Sequence, residues 1–394
     1  MFYPYSRQHI TQEDQDAVLE ALHSDFLTQG PKLAGFENDL ARYLGDNCQA
    51  LACNNGTSAL WIAYSALGLG PKAGLLTTPV TFLASASAAL MLNAPVALAD
   101  VDPDTGLLTA ETIEKALKHS SIPIRAITVV HLGGQAGELE EICRVAKEHN
   151  CFVIEDACHG LGATVRTSDG SRSYLGSSRF SDVAVFSFHA IKHLSLGEGG
   201  ACISRNLELM EKMRLLRNHG MTRNPEDWDH APEAGAPWYY EMHAPSFNMR
   251  LPEMEAALGI SQLKRLDEAN RKRREIARLY KQELAGTPYL ECPERPDDSS
   301  RHAWHLYPVK IDFEQLGRSR TEVMNALKAK GVGTQVHYIP LYRQPWYRKR
   351  NYPFLEGAET YYNRTLSIPM YPQLSSEDVL YISDVLKTVL KTNR

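Results

Sequence analysis

Apolar and polar positions along the first two-thirds of the chain keep switching period. AITVV at 126–130 and CFVIED at 151–156 are short, nearly continuous apolar runs, as strands buried on both faces require. Between them LEEICRVAKEHN spaces its apolar residues three and four apart, the pattern of an amphipathic helix. ALWIAYSAL is apolar enough for a buried helix. ITQEDQDAVLEALHS opens as another, with Thr11 as N-cap and Asp14 three residues on. Val183, Val185, Phe186 and Phe188 make one more β-rich strand. The longest apolar stretch, Phe82 to Ala99, is broken by Ser85, Ser87, Asn93 and Pro95. It reads as a buried helix followed by a strand and not as a membrane span. Short apolar strands alternating with helices predict an α/β fold around a mostly parallel central sheet.

The pattern changes after residue 220. Residues 221–246 are rich in Pro, Trp, Tyr and His without a period and read as a long loop. From Pro252 to about Leu284 the pattern is helical, and its basic run NRKRREIARLYK reads as a solvated face. Beyond Pro296 come HLYPVKI as a strand, TEVMNALKAKG as a helix closed by Gly331, then VGTQVHY. The expected division is therefore a large domain over 1–250 with an N-terminal arm, and a linking helix with a small C-terminal domain over 251–394.

Composition narrows the function classes. With 394 residues, 43% hydrophobic and 23% charged, the chain suits a soluble protein with a substantial core. A formal charge of −5 gives no electrostatic footprint for nucleic acid. Seven scattered cysteines form no CxxC pair, so neither a disulfide framework nor a metal site is expected. MFYPYSRQHITQED lacks the apolar core of a signal peptide, and a reducing cytoplasm is the expected compartment.

In open α/β sheets ligands gather at the carboxyl ends of strands. One such end is VFSFHAIKHLSLGEGG, where a single lysine, Lys192, follows an apolar run and precedes a glycine loop. An amine held against apolar surface has its neutral form favoured, and neutral lysine is a nucleophile that forms Schiff bases. Asp156 ends CFVIED, and a buried carboxylate on the same edge suits pyridoxal phosphate, whose ring nitrogen it would keep protonated. CNNGTSAL, with Gly56, Thr57 and Ser58, leads straight into a helix whose N-terminus would favour a phosphate, although Thr57 or Ser58 could simply cap that helix. Ser187 could add a hydroxyl, and Phe82 and His159 are flat enough to cover the two faces of a ring.

NNGTSAL, TPVTF, EDACHGLGA, FSFHAIK…GEGG and SFNMRL occur in an order that resembles the DegT/DnrJ/EryC1/StrS sugar aminotransferases across essentially the whole chain. The resemblance implies a fold-type I pyridoxal-phosphate transferase (aspartate aminotransferase-like) that moves an amino group from L-glutamate to a nucleotide-linked keto sugar. It assigns Lys192 to the covalent link, Asp156 to the pyridine nitrogen, His159 and Phe82 to the ring faces, and Thr57, Ser58 and Ser187 to the phosphate. Asn248 would complete the phosphate cup of a neighbouring subunit, which makes the enzyme a homodimer with composite sites. SDFLTQG, GAPWYYE, RNHGMTR, ALGISQLKRLD and GTQVHYIP resemble the branch that aminates C4 of a UDP-linked 4-keto-6-deoxy-N-acetyl hexose for pseudaminic acid. In that branch Leu27, Thr28, Gln29 and Gly30, with Gln335, Val336, His337 and Tyr338, would line the nucleotide-sugar site near Tyr5. Gly56 departs from a common alanine, and Met249 from a common Tyr or Phe. HAWHL is shared with the branch that aminates a 4-keto pentose. Lys192 argues against the members that carry histidine there and dehydrate sugars. A sensor without turnover, or an unrelated α/β protein, would lack product or colour.

Overall fold

The computed structural model describes residues 1–45, 47–229, 236–293 and 301–391. Its strands begin with β1 (Gln49–Cys53), β2 (Gly74–Thr77), β3 (Val96–Leu98), β4 (Ile124–Val130) and β5 (Phe152–Asp156). After them come β6 (Thr164–Arg166), β7 (Arg172–Tyr174), β8 (Val183–Ser187) and β9 (Gly200–Ser204). All but β6 and β7, which pair with each other, join one seven-stranded sheet in the order β1-β9-β8-β5-β4-β2-β3. Every neighbouring pair is parallel except those made by β9, which runs against both β8 and β1. The sheet is thus mostly parallel, as the apolar runs predict. β8 reaches β9 through residues 188–199 with no crossover helix, the kind of link that commonly joins antiparallel neighbours.

Alternation along each strand builds a core on both faces of the sheet. Leu51, Cys53, Val183, Val185 and Cys202 pack on one face, against α3 (Gly56–Ala66) and its neighbours. Ala50, Ala52, Ala184, Phe186, Ala201 and Ile203 pack on the other, with Phe36 and Leu40. The helices α1 (Gln12–Leu22) and α2 (Pro31–Leu44) lie on the second face with α8. Here α4 is Ala84–Leu90, α5 Ala110–His119, α6 Leu139–Glu148, α7 Leu207–Arg217, α8 Glu253–Leu263 and α9 Leu266–Leu284. Thr11 is the N-cap of α1, as expected, and the Asp14 carboxylate three residues on accepts its N–H at 3.0 Å.

The C-terminal part builds a three-stranded antiparallel sheet from Leu290–Glu291, Tyr307–Ile311 and Thr365–Ile368. With α9 and the helices Arg320–Ala329 and Ser376–Leu390 it encloses its own core around Tyr280, Tyr307, Ile382 and Leu386. Two segments cross between the cores. The N-terminal arm bridges to Val332, and the Tyr5 carbonyl accepts the Met370 N–H at 3.0 Å. Leu341, Tyr342, Tyr347, Ala358 and Tyr361 pack into the larger core. Among the described residues of 221–246, Met221–Thr222 and Glu241–Met242 pair as a two-residue ribbon, Pro225–Asp227 form one 3-10 turn and the rest is loop; 230–235 lie outside the described residues.

The turn Leu27–Gly30 is fastened to this frame by one buried carboxylate. Glu253 is 1% exposed and accepts the N–H groups of Lys32 at 2.8 Å and Leu33 at 3.1 Å, capping α2, while its own N–H donates to Leu27 O at 3.1 Å. Gly30 has no room for a side chain, since a Cβ there would sit 2.6 Å from Glu253 Oε2. Glu253→Ala leaves two N–H groups at the helix end without an acceptor, at about 1–3 kcal/mol. Thermal melting should fall by several degrees, with a smaller loss for Glu253→Gln; an unchanged midpoint in Glu253→Ala would contradict this account.

Candidate active site

A cleft of about 950 Å³ opens where β5 and β8 end. Asp156 is the last residue of β5 and is 6% exposed. Its Oδ2 accepts the Ser85 hydroxyl at 2.8 Å, and its Oδ1 accepts the Cys158 N–H at 3.3 Å. Ser187 ends β8, and the chain then turns through His189 into Lys192, whose N–H donates to His189 O at 2.8 Å.

The loop carrying Lys192 is built to stay in place. Phe188 and Leu194 are fully buried and Leu196 nearly so, and Phe188 and Ala190 donate across the loop to Gly199 O and Gly197 O. Gln262 on α8 clamps Ser195 on both sides, accepting its N–H at 2.8 Å and donating to its carbonyl at 3.1 Å. One of the glycines that follow, Gly200, is a steric requirement. A Cβ on Gly200 would lie 2.4 Å from Asn55 O, so β9 can pass beneath the loop before α3 only as glycine. Burial pushes the Lys192 ammonium below its ordinary value, with Cys158 and Asp156 acting in the other direction. Among the ion pairs of the described residues none joins Lys192 to Asp156, so the cleft keeps its two charges apart.

The N-terminus of α3 faces the same space. Its cap is Asn55, whose side chain accepts the Ser58 N–H at 2.8 Å. Neither Thr57 nor Ser58 is the cap, which corrects that reading of the sequence and leaves both hydroxyls for the cleft. Gly56 fits where alanine is crowded: a Cβ there would stand 2.9 Å from Ser187 Cβ. Met249 is buried, and its carbonyl accepts the Asn54 N–H at 2.9 Å behind the same loop. A helix N-terminus with two free hydroxyls, an unpaired lysine and a buried carboxylate are the donor set that pyridoxal phosphate needs at its phosphate, aldehyde and ring nitrogen. The residues fit the group.

His159 lines the wall next to Asp156. Its Nδ1 accepts the Gly133 N–H at 3.2 Å, which places the proton on Nε2, and Nε2 meets the Tyr338 hydroxyl at 3.3 Å. His305, unassigned by sequence, backs it with ring centroids 4.3 Å apart. Burial holds His159 and His305 well below the ordinary histidine range, with Lys192 and neighbouring histidines adding to the effect. Burial likewise pushes His337 and His302 down to about 3. His337 hydrogen-bonds Ser367 at 2.8 Å, and Tyr5 packs against it.

Of the residues singled out from sequence, Gly56, Thr57, Ser58, Phe82, Asp156, His159, Ser187 and Lys192 meet at this cleft with Tyr5, Gln335, Val336, His337 and Tyr338. Phe82 stands at the mouth, 58% exposed. Leu27, Thr28, Gln29, Gly30 and Asn248 do not line it in this chain. Leu27 is exposed in the turn before α2, and Asn248 is exposed beside Asn218. Sequence reading missed Thr81, Ser85, His305 and the Gln262 clamp. Ser85 counted there as a polar interruption of an apolar run and Thr81 lay just before it; their spacing of four was the available signal.

The model of the DegT/DnrJ/EryC1/StrS aminotransferase family matches residues 8–387. The chain belongs to this family. The spore coat polysaccharide biosynthesis protein SpsC of Bacillus subtilis is 37% identical over 395 residues, covering 99% of this chain and 97% of its own. The UDP-4-amino-4,6-dideoxy-N-acetyl-beta-L-altrosamine transaminase of Campylobacter jejuni is 36% identical over 388 residues, covering 98% and 97%. Among solved structures, Helicobacter pylori PseC, an aminotransferase involved in the biosynthesis of pseudaminic acid, superposes with a TM-score of 0.88 at 30% identity over 99% of both chains. This DegT-family protein is accordingly a fold-type I, pyridoxal-phosphate-dependent sugar aminotransferase. No helix among its described residues is long and apolar enough to cross a membrane.

The neutral histidines make stability pH-dependent. His159, His302, His305 and His337 are buried with depressed values, so below about pH 6.5 the unfolded chain binds protons that the folded chain refuses. Each then costs up to about 1.4 kcal/mol per pH unit. Melting temperature should fall steeply from pH 7 to pH 5, and His302→Gln should flatten the slope by one proton. A flat profile over that range would refute the neutral assignment.

Proposed function

We propose that this aminotransferase moves nitrogen from L-glutamate to C4 of a UDP-linked 4-keto-6-deoxy-N-acetyl hexose. The product would be UDP-4-amino-4,6-dideoxy-N-acetyl-β-L-altrosamine, in pseudaminic acid synthesis. The observation that carries the chemistry is the half-buried, unpaired lysine sharing one cleft with a buried carboxylate. The sugar assignment is supported by the transaminase of Campylobacter jejuni and by PseC, both alike over nearly the whole chain. It is supported also by the Gln335–Tyr338 wall beside Tyr5.

Bound pyridoxal phosphate supplies an electron sink and carries the nitrogen between donor and acceptor. The chain's own residues do the rest. Lys192 Nζ anchors the cofactor and, once released, takes the proton from the donor's Cα and later returns one to the acceptor carbon; its lowered proton affinity suits both tasks. The Asp156 carboxylate holds the proton on the ring nitrogen. Thr57, Ser58 and Ser187 donate hydroxyls to the phosphate with the Gly56 and Thr57 N–H groups. His159, neutral and tethered at Nδ1, covers one ring face, and Phe82 closes the mouth. Residues 1–250 would carry the cofactor, and 251–394 would supply the sugar-side wall.

The working unit is a homodimer in this reading. Among the described residues Lys192 is the only lysine or arginine lining the cleft, yet both substrates and the cofactor are anionic. Asn248 of a second copy would complete the phosphate cup, and the exposed Leu27–Gly30 turn would reach that copy's sugar site. The seven free cysteines fit a cytoplasmic setting.

Purified protein with L-glutamate and the UDP-linked 4-keto-6-deoxy-N-acetyl-L-hexose should yield the amino sugar by mass spectrometry, ahead of the D-hexose and 4-keto-pentose analogues. Amination of another sugar alone would overturn the substrate assignment and leave the family intact. Lys192→Ala should transfer no nitrogen, and measurable turnover would sink its assignment.

A further inference from the structure

The hydrogen bonds behind Asp156 have fixed directions. This inference rests on the reading above that Asp156 serves the cofactor's ring nitrogen. A carboxylate only accepts, so the Ser85 hydroxyl donates to Oδ2 at 2.8 Å. Its proton is thereby committed, and the 2.8 Å contact between Thr81 Oγ1 and Ser85 Oγ must run from Thr81 to Ser85. The Ser85 backbone is held as well. Its carbonyl accepts the Tyr64 hydroxyl at 2.8 Å, and Tyr64 in turn accepts from Thr128 Oγ1 at 2.8 Å. Thr81, Ser85, Tyr64 and Thr128 are all essentially shut off from solvent. Two chains of hydroxyls therefore converge on Ser85 from different elements, one on its side chain and one on its backbone.

We propose that Ser85 is a positioning residue for Asp156. Its hydroxyl fixes the carboxylate's rotation so that the group faces the cleft, and Thr81 and Tyr64 fix Ser85. Hydrogen bonds to an ionised acceptor are roughly twice as strong as neutral ones, so this one is the firmest restraint on that rotation. A rotated Asp156 holds the proton of a ring nitrogen less well. Ser85 therefore acts on the cofactor through Asp156, and alanine, which fills nearly the same space, removes only that action.

The test uses apo-protein titrated with pyridoxal phosphate, followed by tryptophan fluorescence and by the pH dependence of the bound cofactor's visible absorbance. The variants are Ser85→Ala, Ser85→Thr, Thr81→Val and Asp156→Asn. Ser85→Ala should weaken cofactor binding about tenfold, the scale of one hydrogen bond to a charged group, and shift the absorbance midpoint by about half a pH unit or more. Thr81→Val should move both in the same direction by less, and Ser85→Thr should restore both towards wild type. Wild-type affinity and midpoint in Ser85→Ala, with both lost in Asp156→Asn, would overturn the role of Ser85 and leave that of Asp156 standing. Wild-type behaviour in Asp156→Asn would overturn the assignment of Asp156 itself, and the inference with it. Should Ser85→Ala fail to fold, Thr81→Val decides: an unchanged midpoint there rejects the relay.

Discussion

An amine and a carboxylate share one cleft without pairing, and the surrounding architecture keeps them so. In a low-dielectric site opposite charges attract strongly, and a direct ion pair is where such side chains would collapse if free to move. Asp156 is restrained by Ser85 and the Cys158 N–H, so its accepting edge is partly occupied from behind. Lys192 is restrained by a loop anchored on three buried apolar side chains and clamped by Gln262. The gap between them is thus a product of two independent anchorages, one from β5 and α4 and one from β8, β9 and α8. A space of this kind, bounded by a nucleophilic nitrogen and an acceptor for a ring N–H, is what makes the chain a cofactor protein and not merely an α/β sheet.

The rest of the site follows from burial. Burial that lowers Lys192 also keeps His159, His305 and His337 neutral, and a neutral imidazole can lie against an aromatic ring without adding charge to the cleft. Were these rings cationic, they would repel a protonated lysine and compete for Asp156. Tight backbone approach does the remaining work at Gly200 and Gly56, where a single Cβ would separate β9 or Ser187 from the N-terminus of α3. Stability is surrendered at low pH in return for a wall with no net charge at neutral pH.

What was legible in the sequence was whatever short-range period encodes. CFVIED, AITVV and LEEICRVAKEHN announce two strands and their connecting helix, and β4, α6 and β5 fall there. Lys192 and Asp156 could be found because each ends an apolar run. The helix cap was misplaced because Asn55, Thr57 and Ser58 are all competent caps, and only the extended backbone at Asn55 selects among them. Ser85 looked like a defect in an apolar stretch, since a buried hydroxyl is intelligible only once its acceptor, 71 residues away in the chain, is known. The antiparallel course of β9 and the packing of residues 341–361 into the larger core are long-range facts with no local signature.

The electrostatics of the cleft carry the argument beyond one chain. In the proposed reaction a phosphate, a donor carboxylate and a nucleotide diphosphate would all have to be held where the described residues lining the cleft include one lysine and no arginine. Helix dipoles and hydroxyls suffice for one phosphate, but not for every anion at once. Meanwhile the turn at Leu27–Gly30 is rigid, fastened by a buried carboxylate, and yet presents Leu27 to solvent away from its own cleft. Leu27, Thr28, Gln29 and Gly30 carry no charge, so in the proposed homodimer this turn would bring shape and backbone groups, not cations, to the other copy's cleft. The remaining anions would then have to be held as the phosphate is, by N–H groups and hydroxyls, with those of the second copy added to the cleft's own.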